Sequence, residues 1–338
     1  MNNRTIETGL RLVAIGGGTG LSTLLAGLKQ FVGRRDRGFW LDSLSAIVTV
    51  SDDGGSSGRL RDELQILPPG DIRNCMIALS EDSNLLSTLF RHRFRGTGDL
   101  GGHSFGNLFL AALAEVTGDF VEAVRLSSEV LASKGHIYPA TTTDVRLVAE
   151  LEDGRVVHGE TRITGSRSKI RHLRLEPEHC LPLPGALAAI RAADLITVGP
   201  GSLYTSILPN LLVSKVADAI AGSAATKVFV TNLMTQPGET DGYDAQRHLS
   251  TIRDYAPQIN FDYVLLNDRA ITDAQALLYA ADGAFQIRWD DESAAGLGDA
   301  EIIRADLLEN GEMVRHDPER LARAVIACVE HAQLPVGV

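Results

Sequence analysis

Cysteine is scarce in this chain: three among 338 residues, Cys75, Cys180 and Cys328, with no Cys-x-x-Cys pair. Neither a disulfide framework nor a cysteine zinc site is expected, and a reducing compartment fits. Long apolar runs are missing as well. Windows such as 221–230 and 203–213 stop well short of the roughly eighteen residues that mark a membrane span. The start, Met1–Gly9, is polar and carries Arg4 and Glu7, without the apolar stretch of a signal peptide. The chain therefore reads as cytoplasmic, with no membrane insertion. Positive charge is also in deficit: 32 Lys and Arg against 43 Asp and Glu leave a net charge of −11. That balance argues against a general grip on nucleic acid, although a local basic cluster can still bind phosphate.

Three stock motifs fail. The glycines Gly16, Gly18 and Gly20 are followed by Leu21, so the G-x-G-x-x-G fingerprint of NAD sites is incomplete. No Walker G-x-x-x-x-G-K-[ST] string occurs. The run Gly54–Gly58 fits the hydrolase elbow G-x-S-x-G, but two aspartates and two glycines stand between Ser56 and the preceding strand, and an elbow serine belongs directly between strand and helix.

What is present is an α/β rhythm. With 44% hydrophobic and 22% charged residues, the composition is that of an ordinary globular protein, long enough for two domains or one large α/β domain with an insertion. Leu10–Ile15 predicts a strand, Gly16–Gly20 a turn, and Leu21, Leu24, Leu25 and Leu28 one face of a helix. Leu44–Val50 predicts a second buried strand. Helical spacing recurs at Ile72–Leu79, Asn84–Phe90, Phe105–Val116 and Phe120–Leu131, a helical block. The segments Val145–Leu151 and Val156–Ile163 flank Asp153-Gly154, a hairpin signal, and with Ile137–Ala140 and His172–Leu175 they suggest an antiparallel insertion. Leu195–Val198 then runs into Gly199-Pro200-Gly201-Ser202 and one long helix, 203–219. Further strands are expected at Lys227–Thr231, Tyr263–Leu266 and Ala284–Ile287, and helices near 244–254, 272–281 and 317–332. The fold class expected is α/β: a doubly wound, mostly parallel Rossmann-like sheet with a helical block and a small antiparallel β insertion. The core takes residues 10–134 and 185–330, and the insertion 135–184.

Two turns share one plan, strand, glycines, hydroxyl residues, helix: Gly16, Gly17, Gly18, Thr19, Gly20 in the first, and Gly199, Gly201, Ser202 in the second. Helix N-termini favour anions, because free N–H groups and the macrodipole both point there. Facing one another across a doubly wound sheet, the two turns would form one phosphate crevice. The segment 51–74 adds Asp52 and Asp53 at a strand's C-terminal end, a small-residue loop containing Ser56, then Arg59, Arg73 and Asn74. Arginines can meet phosphate oxygens with paired hydrogen bonds, and Asp52 and Asp53 could hold a hard cation such as Mg²⁺ together with the phosphates. At 102–107, His103 and Asn107 are either ligand contacts or loop packing.

In order, VAIGGGTG, SDDGGSSGR, GDIRN, GHSFGN, GPGSLYTS, NLMTQPGET and the final His316-Asp317-Pro318 span about residues 11–320. Together they resemble the CofD/YvcK superfamily and, within it, the bacterial YvcK-like gluconeogenesis-factor branch. The resemblance implies a Rossmann-like core with a phosphorylated ligand at the sheet's C-terminal edge. For the YvcK-like branch it implies a regulator of carbon metabolism and cell shape that binds UDP-sugars such as UDP-N-acetylglucosamine. For the CofD branch it implies Mg²⁺-assisted phospholactyl transfer, in which Asp52 would be the catalytic carboxylate. The small residues after Asp53 depart from the CofD branch and favour the regulator. The same resemblance brings in Asn232, Tyr279 and Arg315 as ligand contacts, Tyr279 stacking on uracil and Arg315 pairing with phosphate. A homo-oligomer and a regulatory protein partner stay open.

Overall fold

The computed structural model describes residues 9–35, 40–81, 84–288 and 299–333. Residues 1–8, on which the signal-peptide expectation rests, lie outside them. Strand β1 (Leu10–Gly16) pairs with β2 (Leu41–Val48) on one side and β7 (Leu195–Val198) on the other, both parallel. With β3 (His136–Pro139), β8 (Thr226–Val230), β9 (Tyr263–Asn267) and β10 (Glu301–Ala305) they make a seven-stranded parallel sheet of order β10-β9-β8-β7-β1-β2-β3. The chain builds outward from β1 in one direction and from β7 in the other. The order therefore reverses between these two strands, where open α/β sheets bind ligands.

A parallel sheet is covered on both faces, and alternation divides β1 between two cores. Leu10, Leu12 and Ala14 pack on one side with α1 (Gly18–Leu28), α3 (Gly70–Leu79), α5 (Phe105–Thr117) and the last helix α13 (Pro318–Gln333). Val13 and Ile15 pack on the other with α8 (Pro184–Ala192), α10 (Val216–Ala221) and α11 (Ala245–Tyr255). Leu21, Leu24, Leu25 and Leu28 are all fully buried, and at about 1.5–3 kcal/mol per large apolar side chain this stripe fixes α1 against the sheet. Between β2 and β3 run α2 (Gly55–Leu64), α3, α4 (Asn84–Arg91), α5 and α6 (Phe120–Val130).

Strands β4 (Arg146–Leu151), β5 (Val156–His158) and β6 (Ile170–Glu176) form the separate antiparallel sheet, order β5-β4-β6, with α7 (Glu160–Gly165) between β5 and β6. Leu147, Leu151, Leu173 and Leu175 join the same buried cluster as Val13 and Ile15. The insertion thus shares the core of the main sheet.

Five expectations are corrected. The strand at 137–140 does not belong to the insertion: residues 136–139 pair with Ser45–Val48 and close the main sheet, and Pro139 is tolerated because an edge strand has one free side. Val156–Ile163 is strand only to His158, where Gly159 at φ 93° turns the chain into α7. The glycine–serine run after Asp53 is helix rather than loop, because α2 starts at Gly55 and packing overrides its poor propensity. The long helix at 203–219 is broken. A π-helical turn, Leu203–Ile207, precedes α9 (Leu208–Leu212), whose start accommodates Pro209. Lys215, at φ 64°, separates it from α10. Finally, 284–287 is no sheet strand: Ile287 and Phe285 bond to Leu233 and Thr235 in the loop after β8, and 301–305 takes the edge position.

Candidate functional site

The two glycine turns touch. In-register pairing sets Ile15 beside Val198, so both strands release their chains at the same level. A Cβ on Gly20 would lie 2.5 Å from the Pro200 carbonyl oxygen, and one on Gly17 would lie 2.7 Å from both Asp71 Oδ2 and Thr49 Cγ2. No side chain fits at either place. Asn232, just after β8, accepts from Gly201 N–H at 3.0 Å and fixes the second turn. Ser202 accepts from Thr205 N–H and caps the π-helical turn. Thr19 and Gly20 lie in the first turn of α1, where N–H groups have no carbonyl four residues back. Four helix N-termini, those of α1, α2, α3 and α7, meet around this crevice, since Gly18 bonds Asp71, Ser57 faces Gly70, and Asp53 caps Thr161.

The rim is acidic. Asp71 Oδ2 accepts from Gly18 N–H at 2.8 Å, and Asp52 Oδ1 from Gly54 N–H at 2.8 Å. Asp53 Oδ1 accepts both N–H and O–H of Thr161, at 2.9 and 2.8 Å, anchoring α7 of the insertion. Glu239 accepts from Ser202 Oγ at 2.6 Å and Thr164 Oγ1 at 3.0 Å, joining the second turn to the same helix. Burial pushes the Asp71 carboxyl up to about 6, the Gly18 N–H opposing and the Asp52 charge adding. Glu160 is pushed well above the carboxylate range, by burial first and then by Asp52, Asp71, Glu239 and Asp53. Glu239 is raised by burial despite its two hydroxyl donors.

A second group lies around the start of α5, where Ser104 caps the helix. Ser56 Oγ meets His103 Nδ1 at 3.0 Å and accepts from Asn107 Nδ2 at 3.1 Å. This serine–histidine pair is packed in the interior rather than presented to solvent: Ser56 is 4% and His103 5% exposed, and Asn107 donates to the serine oxygen. Arg73 donates to Ser104 Oγ and to Asn74 Oδ1. Arg59 donates to the carbonyls of Asp99 and Gly101. Gly106 makes room for Arg73, whose Cδ lies 2.8 Å from where a Cβ would stand.

The expected residues thus fall into three places. Gly16–Gly20, Asp52, Gly199, Gly201, Ser202 and Asn232 line the crevice, with Asp53 turned to the insertion. Ser56, Arg59, Arg73, Asn74, His103 and Asn107 gather at the start of α5. Tyr279, on α12 (Asp273–Ala280), and Arg315 lie together at the far end of the same sheet edge, where Tyr279 Oη accepts from Val314 N–H at 3.0 Å. The strand β9 that precedes α12 is three places from β1, about 14 Å by strand spacing. A cavity of about 540 Å³ lined by Thr235, Tyr243, Ile271 and Phe285 opens over β8 and β9. Another, of about 460 Å³, lies between α6 and the start of β3, at the opposite edge of the sheet from the turns.

Sequence reasoning missed Asp71, Glu160 and Glu239 as parts of the crevice. Asp71 and Glu239 lie inside the GDIRN and NLMTQPGET strings, so a signal existed. Glu160 had none, because only the folding of the insertion brings it in. For Mg²⁺, the described residues hold no group of three or more His, Cys, Asp or Glu arranged to bind a metal ion. Asp53 is committed to Thr161, which leaves Asp52 as the carboxylate to share a cation with ligand phosphates, an arrangement Mg²⁺ accepts because it keeps several waters.

The chain matches the family described as 2-phospho-L-lactate transferase CofD over residues 12–308. It is 45% identical to the gluconeogenesis factor of Bacillus subtilis over 317 residues, covering 94% of this chain and 97% of that protein. It is 45% identical to the gluconeogenesis factor of Halalkalibacterium halodurans over 315 residues, covering 93% and 95%. The crystal structure of a Bacillus halodurans protein of the UPF0052 family superimposes with a TM-score of 0.88 at 44% identity, covering 94% of this chain and 99% of that one. No helix among the described residues is long and apolar enough to cross a membrane. With the family matched across most of its length and the relatives across nearly all of it, the chain belongs to the CofD family and is similar to its gluconeogenesis factors.

Proposed function

We propose that the crevice binds a nucleotide sugar of the UDP-N-acetylglucosamine class, and that the chain acts in the cytoplasm as a regulator of carbon metabolism and cell shape. The observation that carries this reading is the contact of the two glycine turns, Gly20 against Pro200, at the strand-order reversal between β1 and β7. Paired helix N-termini at this position suit a diphosphate. The uridine would extend over β8 and β9 toward Tyr279 and Arg315, a span that matches a long ligand rather than a single phosphate. The gluconeogenesis-factor relatives support the regulatory part.

The acidic rim fits binding without turnover. Asp53 and Glu239 accept hydrogen bonds that hold the insertion in place, which suits positioning, and leave Asp52 as the carboxylate a transferase would have to use. When Mg²⁺ accompanies the ligand it screens the phosphate charge, and Asp52 is the residue to hold it. Calorimetry with UDP-sugars, with and without Mg²⁺, followed by chromatography of the recovered ligand, tests the reading. Binding with the ligand recovered intact is expected. Absence of binding to any UDP-sugar, together with metal-dependent loss of a phospholactyl donor, would replace the regulator by a transferase.

A further inference from the structure

The crevice accounts for the acidic groups but not for an adjoining positive cluster. In a chain of net charge −11, many arginines are matched by carboxylates, among them Arg11 by Asp194, Arg61 by Asp144, Arg146 by Asp62 and Arg320 by Asp306. Arg59, Arg73 and Arg93 differ. Among the described residues none of them has a carboxylate within ion-pair distance, and every hydrogen bond they make goes to a neutral group. Arg59 bonds the Gly101 carbonyl at 2.7 Å, Arg93 the Gly102 carbonyl at 2.5 Å, and Arg73 the Ser104 hydroxyl at 2.5 Å.

Three separate segments deliver these side chains to one place, the start of the 13-residue helix α5. They are close enough to act on one another: Arg93 pulls the Arg73 guanidinium down, and Arg59 and Arg93 both pull His103 down, in each case after burial. Bringing three cations together at the positive end of a helix costs free energy unless an anion offsets it. One buried donor here also has no partner, Arg73 Nε. Buried donors are almost always satisfied, and a donor left open among guanidiniums suits an anion.

We propose that Arg59, Arg73, Arg93 and the start of α5 form a second anion subsite, which takes the phosphate monoester group of a small metabolite beside the nucleotide crevice and independently of it. Phosphate suits it better than carboxylate, since a tetrahedral dianion can meet several guanidiniums at once whereas one fork–fork pair uses up a carboxylate. The two places adjoin, since Asp71 and Asp52 of the crevice also act on Arg73, but consecutive residues of α2 face apart. Ser56 points to His103 and Asn107, while Ser57 Oγ packs against Gly70. This inference goes beyond the nucleotide-sugar reading and does not depend on it.

The test uses the full chain and inorganic phosphate as the probe, by calorimetry at low ionic strength, with and without saturating UDP-N-acetylglucosamine. The double variant R59Q/R93Q removes two exposed guanidiniums, and R155Q, at the tip of the insertion hairpin, is the control. The subsite predicts phosphate binding by wild type and R155Q, at least tenfold weaker binding by the double variant, and at least tenfold weaker binding of acetate. Phosphate affinity should stay within threefold when the nucleotide sugar is bound. Absence of phosphate binding, equal affinity in the double variant, or one-for-one displacement by the nucleotide sugar would overturn it, the last by showing that the cluster holds the nucleotide's own phosphates. If phosphate binds as described and no UDP-sugar does, the subsite stands and the nucleotide reading falls.

Discussion

The crevice between the glycine turns and the cluster at the start of α5 are built from opposite materials. The first has almost no side chains at its floor and is ringed by Asp52, Asp71, Glu160 and Glu239. The second is all side chain, with three arginines over a buried Asn107–Ser56–His103 network. Where backbone N–H groups and helix ends supply the positive potential, carboxylates can stand nearby and position the loops. Where guanidiniums supply it, carboxylates stay beyond ion-pair distance, with Asp71, Asp52 and Glu63 acting on Arg73 and His103 only through space. A net charge of −11 reveals neither arrangement, because what decides binding is the field inside each pocket.

The contrast can be broken most severely at the glycines. Gly20→Val would drive a Cβ to within 2.5 Å of the Pro200 carbonyl and push the two turns apart, so calorimetry should show UDP-sugar affinity falling more than about a hundredfold, beyond about 2.8 kcal/mol at 1.4 kcal/mol per tenfold. Phosphate binding at the α5 cluster should survive this change. Next comes the far end of the ligand. Tyr279→Ala should weaken UDP-sugar binding about tenfold to a hundredfold, the worth of one base–aromatic stack, and leave binding of free phosphate as it was.

The brace between insertion and core is a third point of attack. Glu239→Ala leaves Ser202 and Thr164 without their acceptor, and urea unfolding should register a loss of about 1–3 kcal/mol. The smallest effect concerns pH. A carboxyl whose folded pKa of about 6 exceeds its ordinary 3.8 stabilises the fold while protonated, and that contribution is lost as pH rises through the window between them. Thermal melts between pH 4 and 7 should therefore fall less for Asp71→Asn than for wild type, a difference on the order of 1–2 kcal/mol at 1.36 kcal/mol per unit. Glu160 and Glu239, also raised, act in the same direction.

Much of this was legible in the sequence. The apolar run Leu10–Ile15, the leucine stripe of α1 and the Asp153-Gly154 turn each encode their element locally, and all three are present as read. The reading failed where a local pattern is overruled by its surroundings. A Gly-Gly-Ser-Ser-Gly run has no helical propensity of its own, yet α2 forms because Ser57 and Gly58 are buried against neighbouring backbone. Residues 136–139 look like part of a hairpin domain, and only the free edge of β2 draws them into the main sheet. In the site, the glycines announced themselves through spacing. Glu160 did not, because its place in the crevice depends on how a distant insertion folds back. The positive cluster was half legible: Arg59, Arg73, His103 and Asn107 stood out, but Arg93 became visible only once three segments met.

The most direct measurement is the crystal structure of the full chain with UDP-N-acetylglucosamine bound. The account predicts the diphosphate lying against the touching turns Gly17–Gly20 and Gly199–Ser202, with the uracil toward Tyr279 and the α5 cluster free of nucleotide. A diphosphate lying instead on Arg59, Arg73 and Arg93, with the glycine turns bare, would contradict it.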